Sequence, residues 1–559
     1  MNDIKRTILW VIFGFSMVLL WDQWQVYNGK KPTFFPAKES LTASNNTAAI
    51  NKGNSEAEIP KVESENGSNK IEQLNKVDVV ASQTEKTYVL KNDNLELTIT
   101  SEGGSIIKTR FLKQTDIKNH DEPVSLLEQS KQRIYLAQSG LIGNENNLSF
   151  PNHKTMMRMT RFQPLADKKG EQVLEFSTDG ENGVKLIKTF TLSSDQYYVD
   201  VKYTVINETK EKISPKLYVQ IIRDGNKPEG ESSFYSTFTG PAVFTQEKKY
   251  QKIEFKDIEN NKVDIQTKSN YGYVAMVQHY YASAWLFNDE RQREIYSKKI
   301  DTNLYSIGMI SDLKTLEPGE KYQTESRFYS GPQEEKNLEN LYPGLELVKD
   351  YGWLTILAKP LYWLLYQINT NLNNWGWSIV ALVVLLKIAF FWLNAQAYKS
   401  MAKMKAINPK IMEMRERLKE KPQQIQMEMM KIYKEEKVNP MGGCLPIMVQ
   451  IPVFIALYWV LLSTVEMRNT PWIGWINDLS APDPYFILPF LMTLTSLLQT
   501  WLNPTPPDPI QAKMMWIMPL AFSVMFFFFP SGLVLYWLTN NILSISQQWL
   551  INKKLGVNN

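Results

Sequence analysis

Five apolar stretches crowd the last third of the chain: Gly376–Leu393, Leu445–Leu462, Tyr485–Leu502, Met514–Phe529 and Leu533–Ile551. Hydrocarbon satisfies no backbone polar group, so an apolar run of about 20 residues is expected to cross a bilayer as a helix. These runs sit near the short end of that range, which a locally thinned bilayer accommodates. Pro446, Pro452, Pro489 and Pro519 fall inside three of them, tolerated where neighbouring helices or water satisfy the freed backbone. Pro530-Ser531-Gly532 is expected to turn the chain between the last two. The mean hydropathy of −0.30 hides all this because much of the rest of the 559-residue chain is polar.

Lys387 interrupts the first of these runs. A cation near a bilayer core costs on the order of 2.5–3.5 kcal/mol or more, and such residues usually face a bundle interior or a wet cavity. The alternative is snorkelling: Leu393 lies about 9 Å further along the axis at about 1.5 Å per residue, a span a lysine stem largely covers. Gln450 and Gln499 also fall at membrane depth, and the last run carries Thr539, Asn540, Asn541, Ser544, Ser546, Gln547 and Gln548. Asn541, Ser544 and Gln548 share one helical face. Such groups bond helix to helix, but a cation with many amides and no acidic partner in the spans favours a wet concavity.

Orientation follows from charge. The segment 397–440 holds eleven Lys and Arg, from Lys399 to Lys437, whereas the loop 463–484 holds only Arg468. The first is therefore expected in the cytoplasm and the second outside. Asn408-Pro409 and Lys421-Pro422 place proline at expected helix starts, and Ile411, Met414, Leu418, Ile425, Met429 and Ile432 recur at helical spacing. Two amphipathic helices forming a cytoplasmic hairpin are expected. Its seven methionines between Met401 and Met430 read either as an adaptable contact surface or as part of a solvated loop.

The first half differs. Lys5 and Arg6 precede the apolar run Ile8–Leu20, followed by Trp21, Trp24 and Tyr27. A secretory signal peptide would need a small-residue cleavage site, which is missing, so an uncleaved signal-anchor with aromatic belt is expected over 1–27. The Asn/Ser/Glu/Lys-rich tract from Ala37 to Glu85 reads as a disordered tether, 28–86. Period-two alternation in Leu95–Ile99, Val184–Leu192, Tyr197–Val205 and Lys216–Ile222 predicts a periplasmic antiparallel β-sandwich over 87–335. A linker and an amphipathic helix interrupted by Pro360 are expected over 336–375, the helix suiting the membrane interface, although a buried helix would carry a similar pattern. A five-helix core covers 376–551, including the hairpin 397–440, and a cytoplasmic tail follows at 552–559. The fold class is thus mixed: six transmembrane helices with both termini cytoplasmic, and a large exported β-domain.

Little enzymatic chemistry is supported. Cys444 is the one cysteine, and His120, His153 and His279 are scattered, so no metal motif is expected. Phosphate-binding glycine loops and nucleophile elbows are missing. A carboxylate pair in the β-domain would suit a glycosidase, but no pair stands out. The net charge of +4 supports no direct nucleic-acid partner.

Four motifs are more specific: Asn439-Pro-Met-Gly-Gly-Cys-Leu-Pro446, Asp478-Leu-Ser480 with Asp483-Pro-Tyr485, Phe529-Pro-Ser-Gly-Leu-Val-Leu-Tyr-Trp537, and Met401-Ala-Lys-Met404 with Asn408-Pro-Lys410. With the domain order they make the chain resemble, over essentially its whole length, the YidC/Oxa/Alb family of membrane protein insertases in its Gram-negative form. The resemblance implies a non-enzymatic insertase and chaperone of the inner membrane with no cofactor and a β-supersandwich domain. It implies nascent membrane proteins, the lipid bilayer and the Sec translocon as partners. The ribosome or signal recognition machinery would meet the hairpin, with Met404, Lys410, Met414, Arg417 and Met429 as its contacts. It further implies a polar groove holding one basic residue, more often arginine, at the position of Lys387, with Gln450, Trp537, Asn540 and Asn541 beside it. A solute transporter or channel is the opposing class. The lack of paired intramembrane acids and of a repeat between halves counts against it.

Overall fold

The computed structural model describes residues 59–60, 85–116, 119, 121–143, 148–164, 170–180, 183–228, 237–418, 422–436, 445–503, 505 and 509–554. The signal-anchor and nearly all of the tether lie outside the described residues, as does the stretch 437–444. The chain divides into two compact units, one holding the β-domain through Lys349 and the other the helices from Asp350 onward.

Among the described residues the β-domain holds a ten-stranded and a nine-stranded sheet, every pairing antiparallel. The four alternating segments read from sequence appear as Leu95–Thr100, Val184–Ser193, Tyr198–Asn207 and Lys216–Asp224. Val184–Ser193 buries every second residue without a break, as a strand with one face on the core must. The two sheets meet through large side chains that carry their polar ends to partners. The Trp285 indole donates to the Gln220 carbonyl at 3.1 Å, and Tyr135 and Ser283 share a hydrogen bond of 2.8 Å. Lys188 is fully buried, and its ammonium donates to the carbonyls of Gly103 and Ser139 and to the Ser139 hydroxyl at 2.6–2.9 Å. A short helix, α1 (Phe255–Glu259), lies in a connection, and α2 (Glu335–Leu341) closes the domain. Leu338 of α2, with Leu345 and Val348 just after it, belongs to a buried cluster with Phe244, Tyr273 and Tyr329. That packing ties the polar stretch after 335 to the β-domain.

The helical unit runs α3 (Thr355–Leu372), α4 (Trp375–Ala389), α5 (Phe391–Arg417), α6 (Pro422–Glu435), α7 (Leu445–Ser463), α8 (Ile487–Leu502), α9 (Pro509–Phe526) and α10 (Ser531–Lys554). Asn374 starts α4: its side chain accepts from the Trp377 N–H at 3.0 Å. The larger of the helical unit's apolar clusters gathers Tyr362, Ile379, Leu382, Leu457, Val460, Met492, Phe526 and Val534. Trp353, Ile356, Trp392, Phe490 and Val524 instead point outward, each more than 60 % exposed. An apolar core wrapped in an apolar exterior is what a lipid-embedded bundle presents.

Several sequence expectations change. The first apolar run does not continue to Leu393: α4 ends at Ala389, and the chain bends by 69° into α5. Pro409 does not start a helix but lies inside α5, because its first-turn preference is overridden by the helix already running from Phe391. Pro489 sits in the first turn of α8, where its missing N–H costs nothing. Ser531 and Gly532 are not a turn. They open α10, and their N–H groups donate to the Ala481 and Leu479 carbonyls at 2.8 and 2.9 Å. Among the described residues no single helix is by itself long and apolar enough to cross a membrane, although α4 and α5 qualify together as a bent pair.

Candidate functional site

The break between α4 and α5 organises a hollow of about 230 Å³. Its walls come from α4 (Val383, Leu386, Lys387, with Phe390 at the break), α7 (Gln450, Ile451, Val453, Phe454) and α10 (Tyr536, Trp537, Asn540). There is room in it for several water molecules. Trp537 is wedged between Phe454 and Phe526, its ring centroid 4.6 and 4.8 Å from theirs in edge-on geometry, which fixes its orientation.

Lys387 is half-buried at this hollow and donates to the Ser544 hydroxyl at 2.6 Å. No carboxylate among the described residues pairs with it. Its ammonium therefore turns toward α10 rather than along its own helix. Gln450 donates to the Asn394 side-chain carbonyl at 3.4 Å, and Gln547 to the Phe391 carbonyl at 3.4 Å. A ring of uncharged polar groups thus joins α5, α7 and α10 beside the cation.

Four of the five expected groove residues come together: Lys387, Gln450, Trp537 and Asn540. Asn541 does not. It is buried against α8 and donates to the Thr495 and Ser496 hydroxyls at 3.3 and 2.9 Å. Gln548, on the same face, donates to the Leu502 carbonyl and the Asn503 side chain at 3.2 Å. At Asn541 and Gln548 that face is a helix-to-helix seam rather than a cavity wall. Ser544 and Asn394 were missed as site residues. Ser544 carried a signal in its spacing from Asn541, whereas Asn394 lies past the expected end of its span and carried none.

The hairpin contacts divide in the same way. Met414 is buried, and Met404 and Met429 are partly buried, where they pack with Ile407, Ile411, Ile425 and Ile432 inside the hairpin. Lys410 is exposed and pairs with Glu436 at 2.5 Å, and Arg417 is exposed. The outward methionines are Met412, Met427 and Met430, each more than half exposed. Both helices use a methionine on each side, so counting methionines did not show which side was which.

A helical unit with outward apolar side chains, a half-buried cation among uncharged polar groups, and a separate two-sheet domain are the features of a protein built to work at a membrane. Comparison with known proteins narrows the class. Residues 87–364 match the YidC periplasmic domain, and residues 367–558 match the 60Kd inner membrane protein family. Membrane protein insertase YidC of Cupriavidus taiwanensis is 51 % identical over 557 residues, covering 99 % of this chain and 98 % of that one. The Ralstonia nicotianae protein of the same name is 50 % identical over 559 residues, covering 100 % and 99 %. A solved structure described as an active YidC insertase with its first transmembrane domain resolved covers 83 % of this chain and 92 % of its own, at 18 % identity and a TM-score of 0.38, too distant to bear on the fold. The chain belongs to the YidC family of membrane protein insertases. It is an inner-membrane insertase with a periplasmic domain, and not an enzyme.

Proposed function

We propose that the hollow at Lys387 receives the short polar tail of an incoming membrane protein. The observation that carries this is the Lys387 ammonium, held at the hollow by a neutral hydroxyl with no carboxylate beside it among the described residues. Carrying unsatisfied polar groups into hydrocarbon costs several kcal/mol each. A wet, amide-lined hollow cuts that cost, and an uncompensated cation attracts acidic residues in the tail. The apolar outer faces, including Phe490, Leu494 and Leu498 of α8, then give the substrate helix a route into lipid.

On this reading six helices span the membrane, with residues 1–27 as the first, 28–86 as the tether and both termini in the cytoplasm. The 11-to-1 excess of Lys and Arg in 397–440 over 463–484 supports that orientation. The two-sheet domain would be the family's supersandwich. Sec translocon cooperation, a chaperone role, and docking of a ribosome or signal recognition component on the hairpin belong to the same reading. Met412, Met427 and Met430, rather than the packed methionines, are the surface we assign to such docking.

Photoreactive residues placed at Gln450 and Asn540 test the hollow, with Asn541 as the buried control. Short nascent membrane proteins should be captured from 450 and 540 but not from 541. Capture of lipid or small solutes alone would favour a transporter.

A further inference from the structure

Lys387 and Ser544 lie 157 residues apart in sequence, on α4 and α10, and meet through a 2.6 Å hydrogen bond. Ser544 is 3 % exposed, and its own proton goes to the Asn540 carbonyl one turn back, at 2.7 Å. The hydroxyl therefore acts toward Lys387 as an acceptor. One ammonium proton is thus fixed on a rigid buried oxygen, and the other two remain for the hollow.

We propose that Ser544 is the positioning residue of the insertase hollow: a neutral acceptor that holds the Lys387 ammonium in place while leaving its charge uncompensated for substrate. An aspartate at the same place would hold the ammonium as firmly and cancel its field. An alanine would leave the charge but release its position. Serine does neither, since a hydroxyl supplies a strong lone pair and no charge. The inference rests on the reading of Lys387 as the group that attracts acidic tails, and it goes further by naming what makes that attraction selective.

The test uses the full-length chain in membrane vesicles and one small substrate carrying an acidic, a neutral or a basic tail. The quantity read is the ratio of acidic-tail to neutral-tail insertion. Ser544→Ala should lower that ratio roughly threefold, the scale of one orienting hydrogen bond. Ser544→Thr, which keeps the oxygen, should restore it. Ser544→Asp should abolish the acidic preference while neutral tails still insert; if that variant does not accumulate, the alanine and threonine variants decide. The double variant Lys387→Leu/Ser544→Ala should show a ratio no lower than Lys387→Leu alone, because the two residues act through one group. Equal loss on all tails in Ser544→Ala would reveal a packing role only and overturn the proposal. If Lys387→Leu shifts the ratio and the Ser544 variants do not, positioning is wrong and the charge reading stands. If Lys387→Leu itself leaves the ratio unchanged, the charge reading fails and this one with it.

Discussion

Asp483 and Trp475 are joined by a hydrogen bond of 3.0 Å from the indole N–H to the carboxylate, in the loop that leads into α8. The same carboxylate accepts from the Tyr485 N–H at 3.0 Å and from the Leu488 N–H at 2.7 Å, and Asp483 is 1 % exposed. It therefore caps α8 and pins the preceding loop in a single step. Phe486, between the two backbone donors, takes a left-handed φ of 57°, a conformation that the surrounding bonds must hold. Asp483→Ala should destabilise the helical unit by about 1–2 kcal/mol, since it removes a cap and leaves a part-buried indole N–H without its acceptor. Thermal unfolding in detergent measures it. An unchanged midpoint would show the loop to be held by packing alone.

The Lys387 series separates charge from shape. Unit charges about 8 Å apart at an effective dielectric near 20 attract by about 2 kcal/mol. Lys387→Leu should fold and lose roughly thirtyfold in insertion of acidic tails, with neutral tails little affected. Lys387→Arg should retain activity, and Lys387→Glu should reject acidic tails while improving basic ones. Three variants that treat all tails alike would show that the cation has no part in selection.

Asn541 should behave differently from its neighbour Asn540. Its amide joins α10 to α8 through Thr495 and Ser496. Asn541→Ala should therefore cost stability, on the scale of about 0.6 kcal/mol per interhelical hydrogen bond in a membrane, without altering the tail-charge ratio. Asn540→Ala, at the hollow, should do the reverse. Exchange of these two phenotypes would move the hollow to the other side of α10.

Lys188 makes the β-domain sensitive to pH. Burial pushes its ammonium down to about 7 from a usual value near 10.5. The folded domain therefore binds fewer protons than the unfolded chain between those limits, so stability should rise with pH from about 7 to about 10 and be flat in this respect below 7. Each pKa unit is about 1.36 kcal/mol, so the swing amounts to a few kcal/mol. Denaturant titration of residues 59–349 at pH 7, 8.5 and 10 should show the rise, and Lys188→Met should remove it. A rise that persists in Lys188→Met would assign it to another group.

Strand positions were readable because one buried face forces alternation, and Val184–Ser193 obeys it at every residue. The cation was readable because nothing else in an apolar run explains a lysine. What sequence could not resolve was direction around a helix. Asn540 and Asn541 are adjacent in sequence, and about 100° of rotation separates a hollow from a seam. The methionines of α5 and α6 posed the same problem, because Met412 and Met414 differ only in the side they face. Pro409 misled for another reason: its preference for a helix start is a local energy of a few kcal/mol, which a long helix packed through Ile407 and Ile411 outweighs.

The bend after Ala389 has an electrostatic consequence. Lys387 stands in the last turn of α4, where aligned peptide dipoles end with about half a negative charge on the terminal carbonyls. In a straight helix running on to Arg417 those carbonyls would be neutralised by the next turn, and the ammonium would sit in mid-span against nothing. Because α5 departs at 69°, its dipole no longer cancels that of α4 along the same axis. The backbone thus places a partial negative end near the lysine, far weaker than a carboxylate, so the cation keeps its place without being paired.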